Sequence, residues 1–249
     1  MQRFKQFHGA IVSSLLFMTS SLVATASETP RGPMQSVIAS DGAWRPREFA
    51  FAQLRDAFNK TPGDEIIREK LIDLLRTEVT AAKSDASLKP EEYSDYLGSL
   101  VECVVQTGDV RALALYMDPA LLNTGNMVTR AIASFGDRAV GRVVNALNSA
   151  KDDETRHSLT LTIVHFMELQ SVRNPANIAM LEDQLIAELR AREFLIRIAA
   201  VDGLAHFDDA TASQALFAES RMDPYVVRVK GKLKYPVREE ASALLEHAR

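Results

Sequence analysis

The sequence predicts an all-α protein of about eleven short helices, packed as a bundle or a solenoid. Three observations carry that reading. Apolar residues recur at helical spacing from Arg47 onward, and Gly, Asp and Pro interrupt the pattern at short intervals. Arginine then returns with a fixed period of 41 residues in the last third of the chain. Aromatics make up only 7% of the composition, so Ala and Leu must fill the core, which suits close helix-on-helix packing.

The N-terminal stretch stands apart from this pattern. Arg3 and Lys5 precede an uncharged apolar run from Ala10 to Val23, and Ala24-Thr25-Ala26 places small residues at the −3 and −1 positions of a cleavage site. The run is shorter than the roughly 20 residues that span a bilayer, and Ser13, Ser14, Thr19, Ser20 and Ser21 dilute it. Residues 1–26 are therefore expected to be a signal peptide, giving an exported protein, periplasmic or secreted, with no stable membrane insertion after cleavage. Cleavage after Ala26 removes two positive charges and takes the net charge from −4 to −6. An acidic chain of this kind has no general attraction to nucleic acid.

Residues 27–46 contain Pro, Gly and Ser without periodicity and predict a flexible linker; the helical domain is expected over 47–249. Phe49, Leu54 and Phe58 mark a first helix, which Thr61-Pro62-Gly63-Asp64 breaks. Ile66, Ile67, Leu71, Leu74 and Leu75 mark a second, ending near Lys83. After the loop 84–90, Glu91 and Glu92 suit a first turn. Tyr93, Tyr96, Leu97, Leu100, Val101 and Val104 form the apolar face of a third helix, which Thr107-Gly108-Asp109 stops. Turns follow at Asp118-Pro119, Thr124-Gly125-Asn126, Gly136-Asp137, Asp152-Asp153, Asn174-Pro175, Asp208-Asp209 and Asp223-Pro224. Their aspartates are expected to be N-caps.

The internal period discriminates bundle from solenoid. Arg156, Arg197 and Arg238 open three helices at 41-residue intervals, and each is followed nine positions later by histidine: His165, His206 and His247. Leu159, Ala200 and Ala241 align between them, as do Ile163, Leu204 and Leu245. The period falls in the range of roughly 40–47 residues found for HEAT and armadillo repeats. The stretch from Ala133 to Val144 resembles the turn and first helix of a HEAT repeat, and Asp152-Asp153-Glu154-Thr155-Arg156 resembles its inter-helix turn. The resemblance covers about 127–249 clearly and 47–122 only in helix lengths and turns. It implies a right-handed α–α superhelix, a short HEAT-like solenoid whose concave face grips another macromolecule.

The candidate chemistry is sparse. The histidine column could hold a metal only with inward-leaning side chains, because stacked helices stand roughly 8–10 Å apart and no acid or Cys shares the column. A histidine in a last turn also meets the carbonyl end of its own helix, so the ladder is expected to be architectural and no metal or cofactor is expected. The arginine column is expected to tie neighbouring inter-helix turns together through carboxylates, with an anion-binding row as the alternative. Cys103, the lone cysteine, sits in an apolar helical run and is expected in the core. One segment, Val227 to Tyr235, alternates basic and apolar residues with a period of two, predicting extended structure or a hairpin near Gly231. Its Arg228, Lys230, Lys232 and Lys234 are expected to share one face and, with Tyr235, to form a docking site for an acidic protein surface or an anionic envelope component. No G-x-S-x-G, H-E-x-x-H, Walker, dinucleotide or C-x-x-C motif is present. The expected function is accordingly non-enzymatic: a scaffold that binds an unidentified protein partner on a solenoid face. The resemblance also implies a lyase-like enzyme as an alternative, against which export and the lack of a candidate nucleophile or base argue.

Overall fold

A computed structural model describes residues 44–84 and 91–247. The expected signal peptide and residues 27–43 of the expected linker lie outside the described residues. Twelve helices and one small hairpin follow in order. They are α1 (Arg45–Lys60), α2 (Glu65–Ser84), α3 (Glu91–Gln106), α4 (Ala112–Tyr116), α5 (Pro119–Leu122), α6 (Asn126–Ala133), α7 (Asp137–Ser149), α8 (Asp153–Glu168), α9 (Pro175–Glu188), α10 (Phe194–Leu204), α11 (Ala210–Met222), β1 (Val227–Val229), β2 (Lys232–Lys234) and α12 (Pro236–His247).

The helices begin and end where local chemistry dictates. Asp118, Asp152 and Asp209 cap α5, α8 and α11 by accepting backbone N–H bonds, and Asn174 does the same for α9. Gly136, at φ 58°, turns the chain between α6 and α7, and a Cβ there would collide with the Ser171 carbonyl. Asp153 and Asp208 flank the residues that cap, and two further aspartates depart from the expected capping role altogether. Asp137 lies inside the first turn of α7, where its carboxylate accepts from the N–H groups of Arg173 and Asn174 and from Asn177 Nδ2 at 2.9–3.1 Å. Asp223 sits at the C-terminal end of α11, buried, and receives an arginine instead.

Packing runs between near neighbours and between helices two apart in order, or three apart where the short α4 and α5 intervene. One row of contacts links α1 to α3, α3 to α6, α6 to α8, α8 to α10 and α10 to α12; a second links α7 to α9 and α9 to α11. Leu159, Ala200 and Ala241 are buried, as are Ile163 and Leu204, so the columns aligned by the sequence period are core columns, with Leu245 half-buried at the end. Gly203 lets α9 approach α10, since a Cβ there would lie 2.7 Å from Leu185 Cδ1. All six apolar positions read for α3 are buried, together with Cys103, whose thiol is pushed up in pKa by burial.

Two apolar assignments are corrected. Phe49 and Ile66 are exposed at 68% and 66%, while Phe51, Phe58, Leu71, Leu75 and Val79 form the buried stripes of α1 and α2. The body also starts earlier than expected. Trp44 is buried, stacked on Tyr96 and edge-on to Tyr93 with ring centroids under 6 Å apart, and α1 begins at Arg45.

Candidate functional surfaces

First-turn arginines form clamps that cross between helices. Arg156, in the first turn of α8, donates from Nε and Nη2 to both oxygens of Glu188 at 2.6 and 3.0 Å, and Glu188 is buried at the end of α9. Arg197, in the first turn of α10, does the same to buried Asp223 at 2.6 and 3.3 Å, and its Nη1 donates to the carbonyls of Ala191 and Arg192. Arg238, in α12, donates to the Asp223 backbone carbonyl at 2.6 Å, so one residue joins α10, α11 and α12. For Arg156 and Arg197 the carboxylate comes from the end of the following helix, while Arg238 reaches a backbone carbonyl instead. Bidentate pairing leaves these guanidiniums committed, and each buried carboxylate relies on its arginine to offset desolvation.

The same device recurs where the sequence reading missed it. Arg47, in the first turn of α1, pairs bidentately with Glu78 of α2 at 2.5 and 3.1 Å, and the hydroxyls of Tyr93 and Tyr96 donate to the same carboxylate at 3.0 and 2.8 Å. The separations of 31 residues here and 32 for Arg156–Glu188 are the signal that pattern-reading could have used.

The histidine column holds three unlike residues. His165 lies in the last turn of α8 with 6% exposure, and its Nδ1 stands 3.0 Å from Glu168 Oε2. His206 is exposed, two residues past the end of α10. His247 closes α12, and its side chain lies outside the described residues. Among the described residues no three His, Cys, Asp or Glu side chains converge as metal ligands.

Around His165 the row α6–α8–α10–α12 carries a band of charge the sequence reading did not single out. Arg130 of α6 donates to Glu168 at 2.9 Å. The hydrogen bond from His165, with Arg130 and His206 nearby, holds the Glu168 carboxyl down at about 2. Asp202 of α10 goes the other way. Burial, with Glu240 of α12 and Glu168 of α8 close by, pushes its carboxyl up to about 8. Opposite shifts in neighbouring carboxyls follow from where the cations sit: Glu168 has them and Asp202 faces acids.

Two grooves open on the same row at its N-terminal end. The larger, about 550 Å³, lies between α3 and α6, where Ser94, Gly98, Ser99 and Ser134 are too small to fill it. Asp95, Glu102 and Arg130 line its walls. The smaller, about 200 Å³, lies between α1 and α3 over Arg55, Asn59, Ser99 and Glu102.

The basic segment is a hairpin, as expected, with Lys230 and Gly231 at the turn at φ 49° and 78°. The register corrects the expectation of a single charged face. Arg228 pairs across from Leu233, whereas Lys232 and Lys234 stand opposite Val229 and Val227. Side chains alternate along a strand, so Arg228 projects from one face and Lys232 and Lys234 from the other. Tyr235 is at the root of the hairpin, half-buried, with the Arg238 guanidinium 4.6 Å above its ring.

Comparison with family models, with curated proteins and with solved structures finds no match to this chain. Among the described residues, no helix is long and apolar enough to cross a membrane.

Proposed function

We propose that this chain is an exported, non-enzymatic scaffold: a short HEAT-like solenoid that holds a protein partner across the face built by α1, α3, α6, α8, α10 and α12. The observation that carries the reading is that both grooves and the charged band lie on this one row of helices. Support for the repeat comes from the packing of helices two apart in order and the first-turn arginine clamps at Arg156 and Arg197. A side chain from a partner helix or strand can enter between α3 and α6, where small residues leave depth and Asp95, Glu102 and Arg130 offer both signs of charge. Apolar anchors in such pockets, ringed by polar contacts, account for most of the energy of typical protein interfaces. Cys103, buried and with its thiol pKa raised, is poorly suited to nucleophilic attack.

The test is site-directed photo-cross-linking in an envelope extract. A benzophenone side chain at Ser94 or Ser134, beside the larger groove, is expected to give one discrete adduct common to both positions. At Lys70, an exposed position on α2 and so outside this row of helices, it gives none. Adducts at Lys70 with none at Ser94 or Ser134 would overturn the assignment of the face.

A further inference from the structure

The hairpin β1–β2 is anchored firmly and exposed freely. At its root, Tyr225 stacks on Phe194 with ring centroids 4.1 Å apart and planes 6° from parallel. Tyr225 N–H donates to the buried Asp223 carboxylate, and Arg238 covers Tyr235. Val227 and Val229 are half-buried, so one face leans on the body and the other looks outward. On the outward face Leu233 is 54% exposed beside Arg228, and Val226, one residue before β1, is 43% exposed and falls on the same side by alternation. Lys230 occupies the tip, and Lys232 and Lys234 share the inner face with Val227 and Val229 but remain exposed on β2, the latter 3.6 Å from Glu239.

The tip carries a second signal. Both turn residues are in the left-handed region, a conformation that favours Asn-Gly or Gly-Gly. Gly231 fits. Lysine at position 230 pays a steric cost that Asn or Gly avoids, and what it adds is a positive charge at the outermost point of the hairpin.

We propose that this hairpin docks tip-first on an anionic phospholipid bilayer. Cations leave it in three directions: Arg228 from the outward face, Lys230 from the tip, and the exposed Lys232 and Lys234 from the side of Val227 and Val229. A flat protein epitope can read only one of these directions. A fluid headgroup layer entered by the tip presents phosphates to the tip and to the exposed side chains behind it at once. Leu233 and Val226, large and exposed, then leave water for the interfacial region. A soluble acidic polymer satisfies the cations but gives the two aliphatic side chains no reason to be exposed. The attraction is local, set within a Debye length, and holds despite the negative charge of the chain as a whole. It is independent of the face proposed for the protein partner.

The experiment is vesicle flotation with the chain from Ser27 to Arg249, which contains every described packed element. It compares mixed phosphatidylcholine–phosphatidylglycerol vesicles with phosphatidylcholine alone. Flotation is expected with the anionic vesicles only, and to fall with added salt. Lys230→Asn is expected to lower partitioning roughly fivefold while the melting temperature holds or rises, because Asn suits the turn. Leu233→Ser is expected to lower partitioning several-fold with all charges retained. Absence of flotation, or flotation indifferent to Lys230 and to headgroup charge, would overturn the proposal. Equal retention on soluble polyglutamate with no loss in Leu233→Ser would also overturn it, assigning the hairpin to an acidic polymer.

Discussion

Leu204→Asp and Ala200→Asp each leave the chain unfolded, or melting about 10 °C or more below wild type, in a thermal scan followed by circular dichroism. Both residues are fully buried in α10, at 0% exposure, in columns shared with α8 and α12. An aspartate at either position loses apolar contacts and buries a carboxylate with no arginine within its own clamp. An unpaired buried charge costs several kcal/mol, a large share of the stability of an ordinary domain. For a chain of this length each kcal/mol is worth roughly 2–4 °C. The consequence spreads, because α10 packs on α8, α9, α11 and α12. A melt within a degree or two of wild type would mean that these columns are not core.

Asp202→Asn acts in the opposite sense. It stabilises the protein at pH 8 by a few kcal/mol and leaves it unchanged near pH 4. The Asp202 carboxyl is pushed up to about 8 in the folded chain by burial and by Glu240 and Glu168, against about 3.9 when unfolded. A raised folded pKa means that the native state binds the extra proton. The stability this supplies is fully present below about pH 4 and is lost as pH climbs from there through about 8. Asparagine keeps the shape and the hydrogen-bonding capacity without ever charging, so it avoids the loss. The difference in melting temperature between variant and wild type therefore widens between pH 4 and pH 8. A constant difference, or a less stable variant at pH 8, would show that Asp202 is ionised beside cations.

The elements legible in the sequence are those governed by local chemistry. The caps at Asp118, Asp152 and Asp209 could be read because a side chain two or three residues ahead of its donors needs no tertiary context. The face of α3 could be read because six apolar residues define one stripe. In α1, Phe49 and Phe51 compete for the stripe. At 100° per residue they point to nearly opposite sides, and only packing against Tyr96 decides for Phe51. Ile66 was misplaced for the same reason, lying well off the line through Leu71, Leu75 and Val79.

What stayed hidden depends on long-range placement. The first-turn arginines were visible, but Glu78, Glu188 and Asp223 become partners only once the following helix folds back. The hairpin was visible as an alternation, but which cations share a face depends on its register and on where its turn falls. Asp202 gave no signal, because its shift arises from acids on α8 and α12 that only stacking brings near.

The most direct measurement of the central claim uses the partner caught at Ser94 and Ser134. Its affinity is measured by calorimetry for wild type and for Ser99→Arg with Ser134→Arg, which fills the groove between α3 and α6 from both walls. Ser99 and Ser134 are half-buried and exposed respectively, so the melting temperature is expected to hold while the dissociation constant rises tenfold or more, about 1.4 kcal/mol. An unchanged dissociation constant in a folded double variant would contradict the account and move the interface off this row of helices.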